Sequence, residues 1–378
     1  MKFKLSVSTL GIGLALFGCG IALAAADANK SAFRVRVSPP ANTPSANPTN
    51  TTVEQLVADP ALAVRKAVVK QPDVTPLSSA NPTNSTVEQL VADPVLAVRK
   101  AVVKQPDVTP LSLPGSEAFV FRKVGTNELR LYVVKPEGWS IKDRRPCFVS
   151  FFGGGWVSGS PQSSIAWAKW AAGIGLVGVA PDYRTRNRYN GTPEDCVSDA
   201  RAAVRWVEEH ADELGIDPGK VIAQGGSAGG HVAAWTAIPS PGPGKDDPAP
   251  KILPVALVLL NPVTDTKDSG YGGTKRFGED AARALACSVP DQMPVKMPPA
   301  IVFHATADTT VPYANSVAFR DKLVSNSNRC ELVTFEGLGH SYNSSKFGEA
   351  GKAADKKTRE DVETFLTSLG LIEKETVH

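Results

Sequence analysis

A serine, a histidine and an aspartate occur in this sequence in an order, and in loop settings, that suit acyl-transfer chemistry. Ser227 sits in Gly225-Gly226-Ser227-Ala228-Gly229-Gly230, between an apolar run, Val221-Ile222-Ala223, and a helix-like run, His231-Val232-Ala233-Ala234-Trp235. A strand, a sharp turn and a helix around G-x-S-x-G describe a nucleophile elbow, whose strained turn lifts the serine hydroxyl off the sheet. Gly225 and Gly229 are needed there because a Cβ would collide with the neighbouring strand or helix. Taken alone, the same stretch also describes a Gly-rich turn with an incidental serine, so the partners decide.

The chain has five histidines. His340 lies in Gly337-Leu338-Gly339-His340-Ser341-Tyr342, where flanking glycines let a loop carry an imidazole to the serine. His210 falls in a long helical stretch, His231 in the elbow helix, His304 inside a strand and His378 at the terminus. His340 is therefore the candidate base. The candidate acid is Asp308, in Thr306-Ala307-Asp308-Thr309-Thr310-Val311-Pro312, where a carboxylate would fix the imidazole tautomer and stabilise the imidazolium. Asp265 is its competitor. The order Ser…Asp…His is one of the known orders for this constellation. Phe151-Phe152-Gly153-Gly154-Gly155-Trp156 supplies a loop whose N–H groups, with that of Ala228, would form an oxyanion hole. Gly154 and Gly155 are the expected donors there.

The elements that must carry these loops are legible from about Glu117 onward. Strand candidates are Ala118–Arg122, Leu129–Val134, Cys147–Phe152, Leu176–Ala180, Val221–Ala223, Val255–Leu260, Ile301–His304 and Leu332–Phe335. The first two read as an antiparallel hairpin. The later ones alternate with helical stretches, the signature of a mostly parallel sheet in an α/β fold. The pattern predicts helices over Asp195–Leu214, ended by Asp217-Pro218, and over Thr358–Leu369.

Ahead of this region the chain is of another kind. Lys2 and Lys4 precede an almost uncharged apolar run from Leu5 to Leu23, and Ala24-Ala25-Ala26 offers a cleavage site, so residues 1–26 read as a signal peptide. The expectation is an exported protein, periplasmic or extracellular. A lipid anchor at Cys19, in Leu16-Phe17-Gly18-Cys19, is the alternative. No other stretch is long and apolar enough to span a bilayer. Residues 45–78 and 79–112 form a near-identical tandem duplication differing only at Thr51/Ser85 and Ala61/Val95. Two units are too few for a solenoid, so residues 27–114 read as a duplicated linker and 115–378 as the catalytic domain. The net charge of +3, with both signs interspersed, gives no reason to expect a nucleic-acid or anionic-membrane partner. Cys147, Cys196, Cys287 and Cys330 allow three pairings, and Cys147 in an apolar run reads as a buried thiol. Without C-x-x-C or a His/Cys cluster, a zinc site is not expected.

From about Val120 to Leu371 the chain resembles bacterial α/β-hydrolase esterases of the hormone-sensitive-lipase-like and carbohydrate-esterase-like groups. The resemblance rests on F-G-G-G-W, P-D-Y-R at 181–184, G-G-S-A-G-G-H, A-D-T-T-V-P and G-x-G-H in that order. It implies an eight-stranded α/β-hydrolase fold and a serine carboxylesterase using Ser227, His340 and Asp308 with Gly154, Gly155 and Ala228, and without metal or cofactor. Lipase-like members carry His before the three glycines, where this chain has Phe152, which weakens transfer of their substrate preference. Asp182, Tyr183 and Arg184 are expected to hold a loop and not touch substrate. The stretch from Asn261 to Pro298 lacks the apolar helices of a lipase lid, which favours a short, acetyl-like acyl group. Trp156 is placed at the substrate pocket, where its face could stack on an acylated carbohydrate. The alternatives are a prolyl-oligopeptidase-like peptidase and a secreted binding protein with a decayed hydrolase domain. Oligomeric state is not legible.

Overall fold

The computed structural model describes residues 109–373, apart from 268, 269 and 272. The signal-peptide stretch, Cys19, the first repeat and most of the second lie outside the described residues.

All eight predicted strands form: β1 (Glu117–Val124), β2 (Asn127–Val134), β3 (Arg145–Phe151), β4 (Val177–Pro181), β5 (Ile216–Gly226), β6 (Ala256–Leu260), β7 (Ala300–Ala305) and β8 (Cys330–Phe335). They make one sheet in the order β1-β2-β4-β3-β5-β6-β7-β8. β1 and β2 pair antiparallel, β2 runs antiparallel to β4, and every pairing from β4 to β8 is parallel. The central strands are covered on both faces, which is why they read as unbroken apolar runs and not as alternations.

The period-two alternation within those runs sorts the helices. Val149, Phe151, Ala223, Leu257 and Val302 share one core with α2 (Pro193–Glu209), α3 (Ala228–Thr236) and α4 (Tyr313–Ser325). Phe148, Ile222, Val258, Ile301 and Phe303 face the other way, onto α1 (Ile165–Gly173) and α5 (Gly348–Ser368). The start of α2 is fixed by a capping box between Thr192 and Asp195, with Pro193 in its first turn. This helix ends at Glu209, and a separate short helix, Ala211–Leu214, closes on Gly215 in the left-handed region. Asp217-Pro218 is thus not the stop; it already belongs to β5. The last helix starts ten residues before the predicted Thr358, because its buried stripe begins with Gly351 and Ala354, which are too small to register as apolar anchors. All four cysteines in this region are free thiols, with Cys147, Cys196 and Cys287 buried.

The end of the second repeat belongs to the folded surface. Thr109 hydroxyl hydrogen-bonds Asp182 and Tyr189 and accepts from Arg188 Nη1 at 2.9 Å, while Tyr132 donates to the carbonyl of Pro110. Leu113 is buried beside them. A hydrogen bond to a charged group contributes on the order of 1.5–3 kcal/mol. A chain starting at Leu113 should therefore melt roughly 3–6 °C below one starting at Lys104, measured by circular dichroism. Equal midpoints would show that this strap adds nothing to stability.

Candidate active site

Strand β5 delivers Ser227 at the carboxyl edge of the sheet. Its backbone has φ 57° and ψ −122°, a conformation that side chains other than glycine rarely adopt. The crowding that imposes it is visible in the glycines. A Cβ on Gly225 would lie 2.2 Å from the Gly229 carbonyl oxygen, and one on Gly229 would lie 2.4 Å from the carbonyl oxygens of Phe151 and Phe152. Elbow, β3 and α3 are thus pressed together at backbone distance. The serine N–H is tied to Leu260 at 2.9 Å across to β6.

Three loops meet at this serine. Ser227 Oγ and His340 Nε2 are 3.0 Å apart, and His340 Nδ1 and Asp308 Oδ2 are 2.8 Å apart. Both ring nitrogens of His340 are thus engaged, one by the serine and one by the acid. The arrangement puts the imidazole proton on Nδ1, towards the carboxylate, and leaves Nε2 to accept from the hydroxyl. Ser227 and Asp308 are each 8% exposed, so the proton path is shielded but reachable.

Asp308 is held from all sides. One oxygen accepts from the N–H groups of Thr310 and Val311 at 2.8 and 2.9 Å. The other receives His340 and also a second, wholly buried imidazole, His304, at 3.1 Å. His304 Nε2 is also 3.1 Å from the carbonyl of Val311, which only accepts, so that nitrogen carries the proton; Nδ1 faces Ser316 Oγ at 2.7 Å. Burial pushes the Asp308 carboxyl up, but the hydrogen bonds from His304, His340 and Val311 outweigh it and hold the group well below the usual carboxylate range. A carboxylate held in that state keeps its charge next to His340. Reading the sequence placed His304 only within a strand. Its position four residues before the acid, at the carboxyl end of an otherwise apolar β7, was the available signal.

The competitor Asp265 is engaged elsewhere. Its carboxylate accepts from the Lys267 N–H at 2.8 Å and its carbonyl from Tyr271, so it shapes the loop after β6. Nor is His231 a rival base: burial lowers it to about 4, and its Nε2 donates to the Cys287 carbonyl at 2.8 Å.

The glycine loop after β3 turns back on itself beside the serine. Gly154 has φ 132° and Gly155 φ 62°, and a Cβ on Gly154 would lie 2.1 Å from the Ser158 carbonyl oxygen. The loop reverses through hydrogen bonds from Val157 and Ser158 to the Gly154 carbonyl, both 3.1 Å. Ala228 opens α3, where the first N–H groups of a helix have no partner within it. The P-D-Y-R segment secures this loop from below. Tyr183 donates to the Phe152 carbonyl at 2.5 Å and stacks on the Phe152 ring at 3.9 Å, Asp182 holds Arg188, and Arg184 pairs with Asp199. Phe152 is thus a stacking anchor for the glycine loop.

A cavity of about 580 Å³ opens at Ser227 and His340, with Gly153, Gly154 and Gly155 on its wall. Trp156 does not line it, contrary to expectation. Its backbone has φ 61°, which turns the indole away from the cavity into the core, where it is 2% exposed against His231, Tyr271 and Phe277. Trp167 and Tyr271 line the cavity instead. Trp167 comes from α1 and was indistinguishable in the sequence from a core aromatic. The segment after β6 forms short helices at Ala281–Cys287 and Val289–Gln292, pinned by Arg283 to Glu194 and by Cys287 to Trp235. Among its described residues it carries no long apolar helix.

Residues 148–344 match the family model described as the alpha/beta hydrolase fold. Among solved structures, esterase 2 of the planctomycete Thermogutta terrifontis is similar, with 39% identity and a TM-score of 0.62 over 70% of this chain and 95% of its own. The same esterase has been solved with propionate bound, with butyrate bound and phosphorylated by paraoxon. Carboxylesterase NlhH of Mycobacterium tuberculosis is 36% identical over 98 residues, 26% of this chain and 30% of the relative. A probable isoprenylcysteine alpha-carbonyl methylesterase of Arabidopsis thaliana, ICMEL1, is 26% identical over 235 residues, 57% of this chain and 48% of the relative. The chain thus spans less than half the length of these two curated relatives. It belongs to the α/β-hydrolase fold family. Within that family it is of the esterase type, a serine ester hydrolase by its likeness to carboxylesterases and solved esterase structures.

Proposed function

We propose that this protein is an exported serine carboxylesterase acting on short-chain, acetyl-like esters, including esters of acylated carbohydrates. The observation that carries the reading is the continuous hydrogen-bonded chain Ser227–His340–Asp308 at the mouth of the cavity. His340 takes the serine proton as Oγ attacks the ester carbonyl, and Asp308 stabilises the imidazolium that forms. The N–H groups of Gly154, Gly155 and Ala228 receive the oxyanion. His340 then returns the proton to the leaving alcohol. Water, activated by the same imidazole, attacks the acyl-enzyme and releases the acid.

The short acyl chain is supported by the cavity, which is bounded by the pinned segment after β6 and rich in serine, and by the propionate and butyrate bound in the T. terrifontis esterase. Export is supported by the basic and apolar start of the chain. With Trp156 buried, the argument for a sugar now rests on Trp167 and Tyr271 as aromatic walls. Across p-nitrophenyl esters from acetate to decanoate, kcat/KM should peak between acetate and butyrate and fall by about tenfold or more towards decanoate, while a prolyl peptide anilide is left intact. A maximum at decanoate would contradict the short-acyl reading. Cleavage of the anilide with inert esters would favour the peptidase.

A further inference from the structure

The buried central part of the sheet face that carries Phe148, Ile222, Val258 and Ile301 is apolar except directly beneath the nucleophile. There Ser150 on β3 and Gln224 on β5 stand opposite each other in register, 0% and 2% exposed. Ser150 Oγ donates to Gln224 Oε1 at 2.5 Å and lies 3.4 Å from the Ser164 carbonyl. The Gln224 amide nitrogen hydrogen-bonds no other group among the described residues. Both side chains line the same cavity as Ser227, with Trp167 beside them.

This pair is costly as core. A primary amide offers two donors and two acceptor sites, and only one of these is used by the protein. Buried polar groups are ordinarily satisfied, and one left unmade is destabilising, whereas Leu or Val at both positions would continue the surrounding packing. The unpaired part of the amide borders the cavity three residues before the nucleophile, so its partner must come from what enters the cavity. Either orientation of the amide leaves this argument intact: turned over, it donates to Ser150 and presents its oxygen to the cavity instead.

We propose that Gln224, oriented by Ser150, is a specificity-determining residue that hydrogen-bonds a hydroxyl group of the substrate. The substrate moiety lodged beneath Ser227 is then a hydroxylated acyl chain or a polyol alcohol, not a plain aliphatic one. The inference rests on the esterase reading above and adds the chemical class that the cavity floor selects. A site built to hydrogen-bond a substrate hydroxyl discriminates against the analogue lacking it, because its own polar group is then left unpaired.

The test uses two ester pairs in which a hydroxyl replaces a methyl: methyl β-hydroxybutyrate against methyl isovalerate, and propylene glycol monoacetate against isobutyl acetate. The ratio of kcat/KM within each pair is measured for the full-length protein and for Gln224→Leu. The ratio for one pair should fall by about tenfold or more in the variant, with the affected pair revealing whether acyl group or alcohol occupies the floor. If Gln224→Leu does not fold, Gln224→Met fills the space with a flexible apolar chain and gives the same comparison. Ratios unchanged within about twofold for both pairs in a folded, active variant would overturn this inference alone. Absence of ester hydrolysis by the unsubstituted protein would overturn the esterase reading and this inference with it.

Discussion

Replacing Ser227 by alanine should lower kcat for ester hydrolysis by about 10⁴–10⁶-fold without unfolding the protein. The size of the loss follows from what the hydroxyl does. It forms the acyl-enzyme, and among the serine hydroxyls lining the cavity it is the one hydrogen-bonded to His340 Nε2. Removing it leaves the oxyanion donors and the cavity intact, so a residual rate above that in water is expected. KM should change little, because the alanine still permits the substrate to enter. The fold should hold because only one hydroxyl is deleted. That hydroxyl's partner, His340, remains anchored by Asp308 at 2.8 Å. The backbone at φ 57° is imposed by the close approach of Gly225 and Gly229, which the substitution does not touch. Circular dichroism and the melting temperature establish the folded state before kinetics are compared. Near-normal turnover in a folded Ser227→Ala protein would remove the serine from the mechanism.

Asp308→Asn should lower kcat by about 10⁴-fold, the loss measured for a wrong-tautomer substitution in a constellation of this type. Asp265→Asn should leave it within a few-fold. An asparagine at 308 can present its NH₂ to His340 Nδ1. That orientation stabilises the tautomer with the proton on Nε2, which then cannot accept from Ser227. His304 gives this position a further constraint. Its Nε2 donates to the same carboxylate oxygen that holds His340, 3.1 Å away. The asparagine must therefore choose: its oxygen can accept from the N–H groups of Thr310 and Val311, which turns its NH₂ towards both imidazoles, or face both imidazoles and set its NH₂ against those N–H groups. The Asp265 carboxylate accepts from the Lys267 N–H at 2.8 Å and shapes that loop. A substitution there should appear in KM through the cavity wall at Tyr271, if it appears at all. The reverse ranking would move the acid to the loop after β6.

The parts of the fold that the sequence disclosed are those built from contiguous, strongly patterned residues. Each strand of the parallel sheet is a short apolar run, and the elbow's glycines were demanded by contacts the structure then displayed, at 2.2 and 2.4 Å. The three loop-borne residues could be nominated from the sequence because each follows a strand at the same edge of the sheet. What stayed hidden depended on contacts between distant segments. Nothing in Gly351 and Ala354 announces that a helix face built of small residues packs on the sheet. Trp156 beside a glycine triplet looks like a cavity wall, and only the positive φ that turns its ring inward shows otherwise. His304 and Gln224 each occupy one position in an apolar strand, and their roles emerge from the strand register and from the loops arriving over them. The strap at Thr109 belongs to a repeat whose composition reads as linker, and its contacts lie with Asp182 and Tyr132, far along the chain.

The most direct test of the central claim is covalent capture of the nucleophile. The protein is incubated with paraoxon, the reagent that phosphorylates the related T. terrifontis esterase, and analysed by intact mass and peptide mapping. Attack by Ser227 Oγ on phosphorus expels p-nitrophenolate and leaves one diethyl phosphoryl group on the serine. The account predicts a single adduct, on the peptide containing Gly226-Ser227-Ala228, formed in step with loss of esterase activity and absent from Ser227→Ala. Full inactivation with the adduct on another residue, or undiminished ester hydrolysis by protein fully labelled at Ser227, would contradict it.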